Sequence, residues 1–219
     1  MFTSSLPYKN VLHAGLSLRK LLWLLLIMLS LFTGFQISVR MLSEDSMNGL
    51  QKLSSQVSLP AFELQDQYGQ PFGLANLKGQ WSILFFGFTQ CPDICPATLQ
   101  QMTVLNHAIS QQTIAGVIPQ TVFISVDPAR DSKNLAEYVA YFSDQFFGVS
   151  GDMSEVGKLE KTIGAWHQYQ KRPTGDYNVA HSGELFVINP KGELQARLQP
   201  PMDINMIAQQ LLMLMSGQG

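Results

Sequence analysis

The chain has 219 residues, of which 46% are apolar and 14% are charged, and its formal net charge is −2. Soluble domains carry about 25% charged residues, so the low charged fraction suggests that part of the chain lies in a membrane. No region carries the concentrated lysine and arginine that nucleic-acid binding requires, so we predict no nucleic-acid partner. The length suits one compact domain with a short appendage.

The first predicted element is a membrane-spanning helix over residues 21–39, which contain no charged side chain. A helix of this length spans roughly 28 Å, close to the hydrocarbon thickness of a bilayer. A cleaved signal peptide is one alternative, although its apolar core usually covers only about 7–15 residues, and a buried core helix is another. We expect residues 21–39 to contact membrane lipid.

The charges beside this segment predict its orientation. Three basic residues and no acidic ones precede it: Lys9, Arg19 and Lys20. The positive-inside rule then keeps residues 1–20 in the cytoplasm. Residues 40–57 are polar and predict a linker, followed by a domain over residues 58–219. We expect a single-pass protein of a bacterial inner membrane with a periplasmic domain; the mitochondrial intermembrane space is the alternative.

The domain alternates strand and helix patterns, which predicts an α/β fold with a central sheet flanked by helices. Residues 81–87 and 121–126 are continuous apolar runs with the length of buried strands. In chain order, the predicted elements are a small hairpin (62–64 and 71–73), strand 81–87, helix 92–110, strand 121–126, helices 135–142 and 153–166, a hairpin (184–188 and 193–198) and helix 203–215.

The two cysteines of the chain, Cys91 and Cys95, lie four residues apart at the predicted start of a helix that follows a buried strand. Residues at this spacing share a helix face, with Cα atoms about 6 Å apart, a distance that also permits a disulfide. A helix N-terminus stabilises thiolate, and paired thiolates favour Cu(I) or Zn over Mg or Ca. We predict a metal site, with two inert buried cysteines as the alternative.

A neutral imidazole is the usual third ligand for such a pair, and the chain has four histidines. His13 precedes the membrane segment, and His107 and His167 lie within or near predicted helices. His181 precedes the predicted strand 184–188, where a loop can approach the cysteines. It is therefore the candidate ligand.

Three motifs resemble the Sco/SenC family of copper proteins. Residues 85–99, FFGFTQCPDICPATL, contain the family signature F-G-F-T-x-C-P-D-x-C-P. Residues 125–131, SVDPARD, are similar to its S-V-D-P-x-R-D. His181-Ser182, followed by an apolar strand and Asn189-Pro190-x-Gly192, resembles its histidine motif. The resemblance covers roughly residues 58–216.

The resemblance implies a thioredoxin-like fold with an N-terminal membrane anchor, and copper, as Cu(I) or Cu(II), bound by Cys91, Cys95 and His181. It also implies a metallochaperone that delivers copper to cytochrome c oxidase, typically to the subunit carrying the CuA site. One position departs from the family, which usually has Asp where this chain has Ala180. Asp127 and Asp131 either shape their loop or support the site.

Two other activities stay open for the cysteine pair. A thiol-disulfide oxidoreductase would act on cysteines of an oxidase subunit and form a Cys91–Cys95 disulfide in its oxidised form. Redox enzymes of this fold favour two residues between their cysteines, whereas this chain has three. A thiol peroxidase would use Cys91 to attack peroxide and Cys95 to resolve the product.

Overall fold

A computed structural model describes residues 18–44, 49–112, 117–173 and 175–217, and the chain divides into two compact units, residues 1–46 and 47–219. In the first unit, helix α1 (Leu18–Glu44) is long and apolar enough over Leu18–Gln36 to cross a membrane, and the side chains of this span are exposed. His13 and most of the predicted cytoplasmic segment lie outside the described residues.

The second unit contains an eight-stranded sheet and a separate two-stranded sheet. Its strands are β1 (Leu50–Ser58), β2 (Glu63–Asp66), β3 (Pro71–Gly73), β4 (Ser82–Gly87), β5 (Gln120–Ser125), β6 (Phe147–Ser150), β7 (His167–Lys171), β8 (Tyr177–His181), β9 (Leu185–Ile188) and β10 (Glu193–Leu198). Its helices are α2 (Leu74–Leu77), α3 (Ile94–Gln112), α4 (Pro128–Asp131), α5 (Leu135–Phe142), α6 (Met153–Ile163) and α7 (Ile204–Met215).

The large sheet has the order β1-β10-β9-β4-β5-β6-β2-β3, and β7 pairs with β8 in the small sheet. Strand β4 is parallel to β5 and antiparallel to β9, and every residue of β4 and β9 is buried. Strands buried on both faces need cover from both sides, which matches their continuous apolar sequences. The carboxyl end of β4 therefore delivers the cysteine segment to an edge of a packed core.

The predicted linker over residues 40–57 is wrong at both ends, because residues 40–44 continue helix α1 and residues 50–58 form strand β1. This strand pairs antiparallel with β10, and the register shifts between Lys52 and Val57. Leu50, Leu53 and Val57 are half-buried against the core. These apolar residues are spaced three and four apart, so the strict alternation expected of a strand is absent, and the register shift is what lets all three face the core.

The predicted strands and helices of the core are otherwise present with shifted ends. Helix α6 ends at Ile163 rather than at residue 166, because Gly164 adopts a left-handed conformation (φ 77°) that caps the helix. Strand β6 and the β7–β8 hairpin were not predicted. The hairpin lies where a loop was expected before His181.

Candidate metal centre

The cysteine segment turns sharply after β4 before α3 begins. The Cys91 amide donates a hydrogen bond to the Phe88 carbonyl (3.2 Å), and α3 starts only at Ile94. Cys91 therefore lies in the turn and Cys95 in the first turn of the helix, which corrects the expectation that both share a helix face. The Cys95 amide donates to Cys91 Sγ (3.4 Å), so the start of the helix binds the first sulfur through a backbone N–H.

His181 approaches the cysteines from the end of strand β8. Its Nε2 lies 3.4 Å from Cys95 Sγ, and its Nδ1 lies 2.9 Å from the Ser182 carbonyl oxygen. A carbonyl only accepts hydrogen bonds, so Nδ1 carries the proton and Nε2 keeps a lone pair with which it can bind a metal ion. Phe85 and Phe88 contact the imidazole at ring-centroid distances of 6.1 and 5.8 Å.

The ligand atoms of Cys91, Cys95 and His181 lie within 4.8 Å of one another. Cys95 is fully buried, Cys91 is 9% exposed and His181 is half-buried. Two sulfurs and one imidazole nitrogen form a soft donor set, which suits Cu(I) or Zn. The three residues predicted from sequence are thus brought together in an arrangement that fits one metal ion.

The two cysteines carry one negative charge between them. A hydrogen bond from the Cys95 thiol lowers the pKa of Cys91 to about 4, despite the opposing effect of partial burial. The same hydrogen bond, together with burial, raises the pKa of Cys95. At neutral pH the site therefore holds a Cys91 thiolate and a Cys95 thiol, and both cysteines are free of disulfide.

A buried carboxylate holds the cysteine turn against the neighbouring strand. Asp131 accepts hydrogen bonds from the Thr89 amide (3.0 Å), the Thr89 hydroxyl (2.8 Å) and the Ser125 hydroxyl (2.6 Å). Burial raises the pKa of the Asp131 carboxyl in spite of these bonds. The sequence leaves two roles open for Asp131, shaping its own loop or supporting the site. The structure supports a link to the site, because Asp131 binds Thr89, which lies two residues before Cys91.

The other described histidines lie outside the donor cluster. His107 is exposed on α3, and His167 Nδ1 contacts both carboxylate oxygens of Glu160 (2.8 and 2.9 Å). His167 lies directly across from His181 in the hairpin register, and Ala180 pairs with Gln168. Successive side chains of a strand point to opposite faces, so residue 180 faces away from the side of His181. The Ser182 carbonyl orients the imidazole instead of a neighbouring carboxylate.

Comparison with known proteins decides the family. The SCO1/SenC family model matches residues 51–216. The chain belongs to the SCO1/SenC family. A Stutzerimonas stutzeri protein whose name proposes copper binding is 40% identical over 149 residues, which cover 68% of this chain and 72% of that protein. By contrast, the chain spans 44–45% of the length of the yeast mitochondrial SCO2 and SCO1 proteins it matches.

Solved Sco structures share the fold of this chain. Copper-bound yeast Sco1 aligns with a TM-score of 0.63 and 32% identity, covering 71% of this chain and 87% of that one. BsSco, described as a member of the Sco family of cytochrome c oxidase assembly proteins, has a disulfide switch; it aligns with a TM-score of 0.53 and 26% identity, covering 67% and 86%. The predicted thioredoxin-like fold is confirmed.

The sequence did not reveal what holds His181 in place. The β7–β8 hairpin has the alternating pattern of strands, with Tyr169, Tyr177 and Val179 on the same face as His181 and a Pro- and Gly-containing turn between the strands. That alternation is the signal that would have identified the hairpin. The Ser182 carbonyl left no signal, since every residue has one.

Proposed function

We propose that this Sco protein binds one copper ion through Cys91 Sγ, Cys95 Sγ and His181 Nε2. The observation that carries the proposal is the convergence of the three donor atoms within 4.8 Å, with the imidazole in the tautomer that leaves Nε2 free. The copper-bound structure of yeast Sco1 supports copper over zinc. The ion is cargo, to be taken up and released.

The protonation of the site determines what copper binding displaces. Cys91 is already a thiolate at neutral pH, whereas Cys95 keeps its proton. A metal ion requires deprotonated thiols and a neutral imidazole, so binding releases one proton, from Cys95. Cys91 is the more exposed of the two cysteines and is the ligand that a receiving protein can reach first.

We further propose that the protein is a metallochaperone that delivers copper to the CuA site of a cytochrome c oxidase subunit. Family membership and the description of BsSco as a member of a family of oxidase assembly proteins support this role. The exposed apolar helix α1 supports an anchor that contacts lipid through residues 21–39. Residues 1–20 would face the cytoplasm of a bacterium, with the copper-binding domain in the periplasm.

Copper binding is tested by titrating the full chain in detergent micelles with Cu(I) against a chromophoric competitor. The wild type should bind one equivalent. Cys91→Ser and Cys95→Ser should lose high-affinity binding, and His181→Ala should weaken it at least about tenfold. His107→Ala, at an exposed position of α3, is the matched control and should bind as the wild type does. Equal affinity in His181→Ala and His107→Ala would remove His181 from the ligand set.

Delivery is tested by mixing the copper-loaded chain with a purified apo CuA domain of an oxidase subunit. Copper should move to the acceptor domain, which then develops the absorption spectrum of the CuA centre. Copper-loaded His107→Ala should transfer its copper equally well. Failure of the wild type to transfer copper to any reduced CuA domain would contradict the chaperone role.

Orientation in the membrane is tested with a C-terminal reporter enzyme that is active only in the periplasm. An inactive fusion would reverse the predicted topology.

A thiol-disulfide oxidoreductase is the second candidate, and the lowered pKa of Cys91 favours it. In this reaction the Cys91 thiolate attacks a disulfide of the partner and Cys95 resolves the mixed disulfide. The partner gains two thiols, with one proton from Cys95 and one from solvent, and the Cys91–Cys95 disulfide forms. His181→Ala should leave this turnover largely intact while it weakens copper binding. Rapid reduction of a CuA-domain disulfide by a chain that does not bind copper would favour the second candidate over the first.

A further inference from the structure

The hairpin that carries His181 is not part of the main sheet. Strands β7 and β8 pair only with each other among the described strands, so the large sheet does not hold them by backbone hydrogen bonds. At the base of the hairpin, the Ser182 amide donates to the Trp166 carbonyl (2.9 Å) and the Trp166 amide to the Ser182 hydroxyl (3.3 Å). The position of the rest of the hairpin must come from side chains on its inner face.

A group of three residues holds the far end of the hairpin; we call Asp127, Arg130 and Tyr177 the hairpin clamp. The Tyr177 hydroxyl donates to Asp127 Oδ1 (2.8 Å), and Arg130 pairs with Asp127 Oδ2. The Arg130 guanidinium lies 4.1 Å from the centroid of the Tyr177 ring and donates to the Tyr177 carbonyl (3.3 Å). Asp127 is 1% exposed, so its hydrogen bonds are shielded from water and are stronger than the same bonds at the surface.

The same segment also holds the middle of the hairpin and the cysteine turn. The Tyr169 hydroxyl donates to the Val126 carbonyl (2.6 Å), while Asp131 binds Thr89 as described above. Residues 126–131 thus bond to the hairpin through Val126, Asp127 and Arg130, and to the cysteine turn through Asp131. This accounts for the SVDPARD motif, whose role the sequence leaves open.

The clamp reaches the imidazole through one further contact. The Arg130 guanidinium lies 5.7 Å from the centroid of the Phe88 ring, and Phe88 packs edge-on against His181. Tyr177 and His181 lie on one face of the same strand, four residues and about 13 Å apart. A movement of the clamped end therefore tilts the strand that carries His181 Nε2.

We propose that the hairpin clamp positions His181 over the cysteine pair, so that Asp127, Arg130 and Tyr177 set how strongly the imidazole binds copper without contacting the metal. The inference rests on the proposed function, in which His181 is a copper ligand. Loss of one clamp hydrogen bond should leave both sulfur ligands in place and affect only the nitrogen ligand.

The direct test is Tyr177→Phe in the full chain, which removes the hydroxyl that binds Asp127 but keeps the ring on Arg130. The matched control is Tyr141→Phe, because Tyr141 is 82% exposed on α5. In the metal-free protein, amide hydrogen exchange of residues 167–171 and 177–181 should become about three- to tenfold faster in Tyr177→Phe, since one hydrogen bond is lost, and stay unchanged in Tyr141→Phe. Unchanged exchange in both variants would overturn the clamp.

The copper readout separates positioning from a general loss of structure. Tyr177→Phe should weaken Cu(I) binding about three- to tenfold and reduce the imidazole nitrogen coupling in pulsed EPR of the Cu(II) form. In a His181→Ala background, the same substitution should have no further effect on copper affinity, because the ligand it positions is absent. An equal loss of affinity in both backgrounds would contradict positioning and indicate a structural effect.

The two proposals fail in different ways. If the wild type binds copper without His181, the imidazole coupling is absent in every variant and the proposed ligand set fails. If the wild type shows the coupling and Tyr177→Phe keeps it at full strength, only the clamp fails. Arg130→Lys, which keeps the charge but loses the planar fork, should lie between wild type and Tyr177→Phe in hairpin exchange; exchange as slow as in the wild type would remove Arg130 from the clamp.

Discussion

Gly87, the last residue of β4, should be essential for the geometry of the cysteine pair. A Cβ atom at this position would lie 2.7 Å from Phe123 Cε2 and 2.9 Å from Cys95 Sγ. Both neighbours are fully buried, and the cysteine side chain is too short to swing aside. Overpacking a close-packed core costs about 1–3 kcal/mol, so Gly87→Ala should fall in the upper half of that range. The strain should also displace Cys95 Sγ from its position 3.4 Å from His181 Nε2.

The measurement is urea unfolding of the metal-free protein, combined with a Cu(I) competition titration. Gly183→Ala is the matched control, since it lies two residues from His181 and a Cβ there meets no atom within 4 Å. We expect Gly87→Ala to lose about 2–3 kcal/mol of unfolding free energy and to bind copper more weakly, and Gly183→Ala to change neither. A Gly87→Ala variant within about 0.5 kcal/mol of wild type and with wild-type copper affinity would refute the packing argument.

Three further predictions concern protonation and the first strand. Burial raises the folded-state pKa of Asp131, so its contribution to stability is full below its unfolded pKa of about 3.9 and is lost as the pH rises through the folded value. Asp131→Asn removes this loss, so the unfolding free energy of the variant relative to the wild type, measured in urea, should rise as the pH increases above about 4; a pH-independent difference would contradict this. In the metal-free chain at pH 6, Cys91 should be alkylated faster than Cys95, as followed by mass spectrometry. The alkylation rate of Cys91 should fall only as the pH approaches about 4; equal rates for the two cysteines would exclude a lone Cys91 thiolate. A fragment starting at residue 59 should be less stable to urea than one starting at 49, on the order of 2–4 kcal/mol, because it lacks the half-buried apolar residues of β1; equal stability would restore the predicted linker.

The core of the fold and the two cysteine donors were predictable because their signals are local. Strands β4 and β5 are continuous apolar runs, and Cys91 and Cys95 are the two cysteines of the chain. His181 needed the family resemblance, since its sequence neighbourhood alone placed it only in a loop. The pairing of residues 86 positions apart is a tertiary contact that no local pattern specifies.

The features that were missed depend on contacts between distant segments. Strand β1 is polar on its exposed positions and irregular in its register with β10, so its sequence is typical of a linker. The β7–β8 hairpin is stabilised by Tyr169 and Tyr177, which bind partners 43 and 50 residues earlier in the chain. The turn position of Cys91 follows from the hydrogen bond that its amide donates to the Phe88 carbonyl, whereas the spacing of the cysteines suggested a helix.

The most direct test of the copper site is X-ray absorption at the copper edge of the Cu(I)-loaded full chain. We expect two sulfur ligands and one imidazole nitrogen in the wild type and in His107→Ala, and loss of the nitrogen in His181→Ala. A nitrogen shell that persists in His181→Ala, or a shell with fewer than two sulfurs in the wild type, would contradict the proposed centre of Cys91, Cys95 and His181.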